Sequence, residues 1–212
     1  MTGPIDVIMA FHNAFRRDVS LIDAAALGAA RGEPGLTATI ERFRFFNDVL
    51  TWHAYGEELA IFPALEGVAP LVAEAYVKDH RGLDAAFDAV SAAASDRDAL
   101  QTARATAAFK FHLDIHLDKE DTHVYRLIRE RVSLADQGKA VGMMSGVAPQ
   151  ERFPDVIAWI FPLLGADDRE NLLRVWHMLM PPEVFAGVKQ LVHKAVGEDW
   201  PDLTRRVPEL AE

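Results

Sequence analysis

Apolar residues recur every three or four positions along most of the chain, and no segment alternates with the period of a strand. The pattern predicts an all-α protein. Residues 4–30 read as a first helix, with Thr2 or Gly3 as cap, Pro4 in the first turn, and a seam of Ile5, Ile8, His12, Phe15, Val19 and Ile22. After a Gly- and Pro-bearing turn, residues 36–63 read as a second helix with seam Phe43, Phe46, Leu50, His53, Glu57 and Ile61, ended by Phe62-Pro63. A third helix is expected over residues 70–94, with seam Tyr76, His80, Leu83, Phe87 and Val90. Ser95-Asp-Arg-Asp98 turns the chain and caps a fourth helix that should run to about Gln137.

These seams are not purely apolar. The stretch FKFHLDIHLDKEDTHVYRL, residues 109–127, places His112, His116, Glu120 and His123 on successive turns of one helix face. Burying such groups without partners costs on the order of 2 kcal/mol or more each. A metal ion satisfies them most simply, since imidazole and carboxylate are its ligands.

The rest of the chain supplies matching groups. His53-x-x-x-Glu57 recurs as His116-x-x-x-Glu120, and His12 recurs as His80. Each half is then a helical hairpin with His on its first helix and His-x-x-x-Glu on its second, and two hairpins make an antiparallel up-down four-helix bundle. Residues equidistant from a hairpin turn lie at one height. The midpoint of His12 and His53 falls in the turn at 32–35, that of Glu57 and His80 in the turn at 67–70, and that of His80 and His116 at Asp98. His12, His53, Glu57, His80, His116 and Glu120 are therefore expected at one depth of the bundle.

Other polar residues near this level read either way. His112, one turn before His116, is a candidate fifth imidazole or a hydrogen-bonded core histidine. Tyr76, one turn before His80, is a core aromatic or a hydrogen-bonding partner of a ligand. Glu58 points well away from Glu57, into solvent or behind a ligand. His123 reads as an end-of-bundle residue or a further ligand, and His177 and His193 as ordinary.

From Gly138 the pattern changes, with Gly and Met interrupting it through Pro149. Short helices follow at about 150–164, 167–180, 182–196 and 199–206, with Trp159, Phe161, Leu172, Trp176, Phe185 and Leu191 as expected buried positions. The chain thus divides into a metal-binding bundle, residues 1–137, and a C-terminal helical extension, residues 138–212. The extension is expected to pack on the bundle or to join a second copy in a homodimer.

Composition narrows the chemistry. The chain has 212 residues and no cysteine, which removes disulfides, thiolate metal sites and cysteine nucleophiles and fits a cytoplasmic location. The net charge of −10 argues against nucleic acid as a partner. The start, MTGPIDVIMAFH, shows no basic region followed by an apolar run, and the longest apolar run is too short for a membrane span.

Four imidazoles and two carboxylates suit two divalent first-row metals. Glu57 and Glu120, from opposite halves, are the natural bridging carboxylates, and an added oxo or hydroxo bridge would lower the buried charge further. The ordered set His12, His53-x-x-x-Glu57, His80 and His116-x-x-x-Glu120 resembles the hemerythrin-like family, the HHE cation-binding domain, over roughly residues 5–131. The resemblance implies a non-haem di-iron centre; manganese or zinc would suit the same ligands. The chain departs from the oxygen-carrying members: its third helix offers His80 and then Asp84, and its fourth carries His-x-x-x-Glu in place of His-x-x-x-x-Asp. It looks more similar to the bacterial and iron-sensing members. The expected function is a di-iron module that binds or senses oxygen, nitric oxide, peroxide or iron. The alternatives are a catalase-like, peroxide-disproportionating or other small-oxidant enzyme using the same centre, or a scaffold with a relic site.

Overall fold

A computed structural model describes residues 3–211, and every regular element among them is helical. The four long helices are α1 (Val7–Ala30), α2 (Leu36–Gly56), α4 (Ala73–Ser95) and α5 (Ala99–Lys119). Gly3 precedes a short 3-10 turn, Pro4–Asp6, and its N–H donates to the Asp6 carboxylate at 2.7 Å. The alternative cap, Thr2, lies outside the described residues. α1 packs on α2 and α5, and α4 packs on α5. The expected seams of α1 and α2 are buried throughout, while Phe87 on α4 is only half-buried.

Helix continuity differs from the sequence expectation in two places. The second helix does not end at Phe62-Pro63. A turn of π-helix, Glu57–Ile61, leads into α3 (Phe62–Glu66). A proline inside an α-helix lacks its N–H and clashes with the preceding turn; the wide π turn just before Pro63 relaxes that conflict. The fourth helix is likewise interrupted by a π turn, Glu120–Val124, continues as α6 (Tyr125–Arg131), and stops well short of Gln137. Val132 is extended, and the Ser133 side chain accepts from Asp136 N–H to start α7 (Leu134–Ser145). The Gly- and Met-containing stretch after Gly138 is thus helical as far as Ser145, and α7 runs across the 137/138 boundary.

The remaining helices are α8 (Phe153–Leu163), α9 (Ala166–Leu179), α10 (Pro182–Val196) and α11 (Trp200–Arg206). α8 and α9 pack on α1, α7 packs on α2 and its π turn, and α10 and α11 pack outside them on α8 and α9. Phe161, Leu172, Trp176 and Phe185 are buried as expected, whereas Trp159 and Leu191 are half-buried. Two apolar clusters result. One, built on Phe15, Phe43, Phe46 and Phe109, fills the bundle on the side of the α1–α2 turn. The other joins Ile5, Ile61, Leu65 and Ile128 of the bundle to Ile157, Leu172 and Val192 of the extension. Buried Asp18 on α1 ties the parts together, accepting from Arg42 Nε on α2 and from Trp159 Nε1 on α8.

Candidate metal centre

The six residues aligned from turn midpoints meet in the bundle interior, each 6 % exposed or less. His12 and His53 face each other with Nε2 atoms 3.0 Å apart, and His53 Nε2 lies 3.1 Å from Glu57 Oε1. On the other side, His116 Nε2 lies 3.3 Å from Glu120 Oε2, and His80 Nε2 lies 3.4 Å from Glu57 Oε2 and 3.7 Å from Glu120 Oε1. Glu120 Oε2 also reaches within 3.6 Å of His12 Nε2. These atoms form two overlapping groups of metal-ligand type: His12, His53 and Glu57, and Glu57, His80, His116 and Glu120. Glu57 belongs to both.

The donor set fits a metal on its own chemistry. Glu57 Oε2, both Glu120 oxygens and His80 Nε2 are fully buried and have no hydrogen-bond partner. Leaving that many polar atoms unsatisfied is costly and rare. They converge within ligand reach of one another, and imidazole nitrogen with carboxylate oxygen is the donor combination of divalent first-row ions.

The groups behind the ligands are arranged by the internal repeat. His12 Nδ1 donates to Asp121 Oδ1 at 2.7 Å, and Arg16 holds the other Asp121 oxygen. His80 Nδ1 donates to Glu58 Oε1 at 2.9 Å, and Arg81 holds that carboxylate. In each half, the residue after the cluster's glutamate therefore fixes the ring of the other half's first histidine. A donating Nδ1 leaves the Nε2 lone pair pointing into the centre. The residue five positions after each glutamate is aromatic and packs on the same histidine: Phe62 on His80 with ring centres 5.5 Å apart, Tyr125 on His12 at 5.4 Å.

The π turns explain the five-residue spacing. In an unbroken α-helix, Tyr125 would not share a face with Glu120. The extra residue in the turn brings it in, and its hydroxyl donates to Glu57 Oε1. The same slip turns His123 outward, so it is exposed and does not join the cluster. His112 is also exposed, because the buried face of α5 runs through Phe109, Leu113, His116 and Leu117 and leaves it to one side. Tyr76 is buried, but its hydroxyl donates to the Lys119 carbonyl at 3.3 Å and not to a ligand. Glu58 is half-buried and orients His80. His177 and His193 are exposed and lie against Phe185 and Trp200.

Electrostatics separate the two carboxylates. Burial would raise the Glu57 carboxyl, but the facing imidazoles of His53, His12 and His80 outweigh it and hold it well below the usual range. Burial and the charge of Glu57 raise Glu120. Burial opposes charge on His12 and His80, but the carboxylates facing them outweigh it: Asp121, Glu57 and Glu120 raise His12 to about 9, and Glu120 and Glu57 raise His80 to about 10. Burial dominates at His116, lowered to about 3, and also lowers His53. Burial and the nearby Glu57 charge push the Tyr125 phenol up, so it stays a donor.

The comparisons with known proteins agree with this geometry. The family model "Hemerythrin HHE cation binding domain" matches residues 3–128. The chain belongs to the hemerythrin HHE cation-binding family. Among curated proteins it is similar to three from Arabidopsis thaliana. It is 25% identical to the zinc finger protein BRUTUS over 85% of this chain and 15% of that protein. It is 24% identical to the BRUTUS-like protein At1g74770 over 86% of this chain and 17% of that protein. It is 23% identical to the BRUTUS-like protein At1g18910, over 86% and 16%. The chain thus spans only a small part of the length of the curated relatives it matches. No solved structure matches. No helix among the described residues is long and apolar enough to cross a membrane.

A cleft of about 100 Å³ adjoins the cluster at His53, which is the only titratable side chain on its wall among the described residues.

Proposed function

We propose that the chain holds two iron ions and uses them to bind a small neutral ligand such as oxygen, nitric oxide or peroxide. His12, His53 and Glu57 would hold one ion, and His80, His116 and Glu120 the other, with Glu57 in reach of both. The observation that carries this reading is the sharing of Glu57 between two buried donor groups. Bound there, an iron pair supplies redox chemistry toward such ligands. The chain's own residues supply the setting. Asp121 and Glu58 fix the ring orientation of His12 and His80. Tyr125 steadies Glu57. Phe15 and Phe62, packed on His53 and His80, keep water out.

Binding or sensing is favoured over turnover because the cleft offers no acid or base besides His53, itself one of the residues that would hold iron, to deliver protons. Anaerobically iron-loaded protein should change its visible spectrum when oxygen, nitric oxide or peroxide is added, while consuming peroxide only slowly. Rapid sustained peroxide loss, abolished in Glu57→Ala, would make it an enzyme.

A further inference from the structure

The cleft beside His53 has two walls of different origin. Phe11 and His53 come from the bundle. Val141, Met144, Phe153 and Trp176 come from α7, α8 and α9, all beyond the residues the family model covers. The C-terminal helices therefore wall in part of what would otherwise be an open flank of the bundle, leaving a cleft that opens to solvent near Ser145. Its lining is almost entirely carbon, so water gains few hydrogen bonds inside. Its volume, about 100 Å³, far exceeds one water-sized guest at ~30 Å³ and approaches the ~150 Å³ at which a dry apolar cavity takes up benzene. A diatomic ligand would rattle in it, and a charged one would lose its hydration without a counter-charge.

We propose that this cleft is a binding site for one small, neutral, apolar organic molecule, about the size of a single aromatic ring, seated against His53 and covered by α7 and α9. The apolar walls supply the affinity, and Met144, with its flexible thioether, adapts to the shape of the guest. An occupant would stand between solvent and the His53 side of the cluster and so control access to it. The site is built from side chains that are not ligand candidates, His53 apart, and does not require iron.

The full chain, iron-free and iron-loaded, would be titrated with fluorobenzene and followed by fluorine NMR. Saturable binding is expected in both forms. Ala148→Trp, at a half-buried position on the cleft wall, should weaken it by roughly tenfold or more with helix content unchanged. Ser145→Phe, at an exposed wall position, should do the same if the first variant fails to fold. No saturable binding in the wild type, uptake of xenon alone, or binding undiminished in the well-folded filled variants would overturn the proposal. Fluorobenzene binding in a chain that takes up no iron would sink the di-iron reading and leave this one standing.

Discussion

The Tyr125 hydroxyl donates to Glu57 Oε1 across the bundle, joining the π turn of one half to the ligand glutamate of the other. The equivalent position in the first half is Phe62, so the internal repeat is broken at this atom. Glu57 thereby has one oxygen held by a neutral donor and the other free toward His80. Tyr125→Phe should lower the stability of the iron-free protein by about 1 kcal/mol, the net worth of one buried hydrogen bond, since His53 Nε2 still faces Glu57 Oε1 at 3.1 Å. Urea denaturation would read this, and iron capacity per chain should be unchanged.

Asp121 and Glu58 have matching roles on His12 and His80, so their loss should have matching effects. Asp121→Ala and Glu58→Ala should each weaken metal affinity by about 10–100-fold, as loss of a partner behind a ligating histidine does. A chelator competition titration would measure both. A strong effect from only one would show that the two halves are not functionally equivalent.

The iron-free protein should respond to alkali. His12 and His80 bind protons more tightly folded than unfolded, at about 9 and about 10 against 6.5. Their contribution to stability is therefore complete below pH 6.5 and is lost as pH rises through 9 and 10. The urea midpoint of iron-free protein should fall over that window, and His80→Gln should flatten part of the fall. Iron uptake displaces those protons, so it should release acid and strengthen as pH rises.

Gly56, the residue before Glu57, lies against α7. A Cβ there would meet Met144 Cγ at 2.5 Å and the Met144 carbonyl at 3.3 Å. Gly56→Val should cost about 1–3 kcal/mol through forced repacking. Hydrogen exchange should show α7 loosened while α4 and α5 stay protected.

The meeting of six polar residues in one buried cluster was legible in the sequence because it depends only on helix period and turn position. His12, His53, Glu57, His80, His116 and Glu120 all lie where straight helices and symmetric hairpins put them. Tyr125 was not legible, because its place depends on a one-residue slip in the helix; Asp121 was missed although it follows Glu120 as Glu58 follows Glu57, and His123 is exposed, in line with its end-of-bundle reading. Pro63, five positions after Glu58, was a signal of the first slip; no residue type marks the second. The end of the fourth helix was readable in principle, since Ser133-x-x-Asp136 is a helix start, but good helix formers on both sides, Arg126 to Arg131 and Leu134 to Ala140, masked the break. How α7 to α9 close over His53 depends on tertiary packing and left no periodic trace.

The most direct test is the iron content of anaerobically loaded protein, wild type against Glu57→Ala, measured by elemental analysis with helix content checked by circular dichroism. A shared glutamate predicts about two irons per wild-type chain and near-complete loss of both in the variant. Wild-type protein that retains no iron, or a folded Glu57→Ala chain that still holds two, would contradict the account.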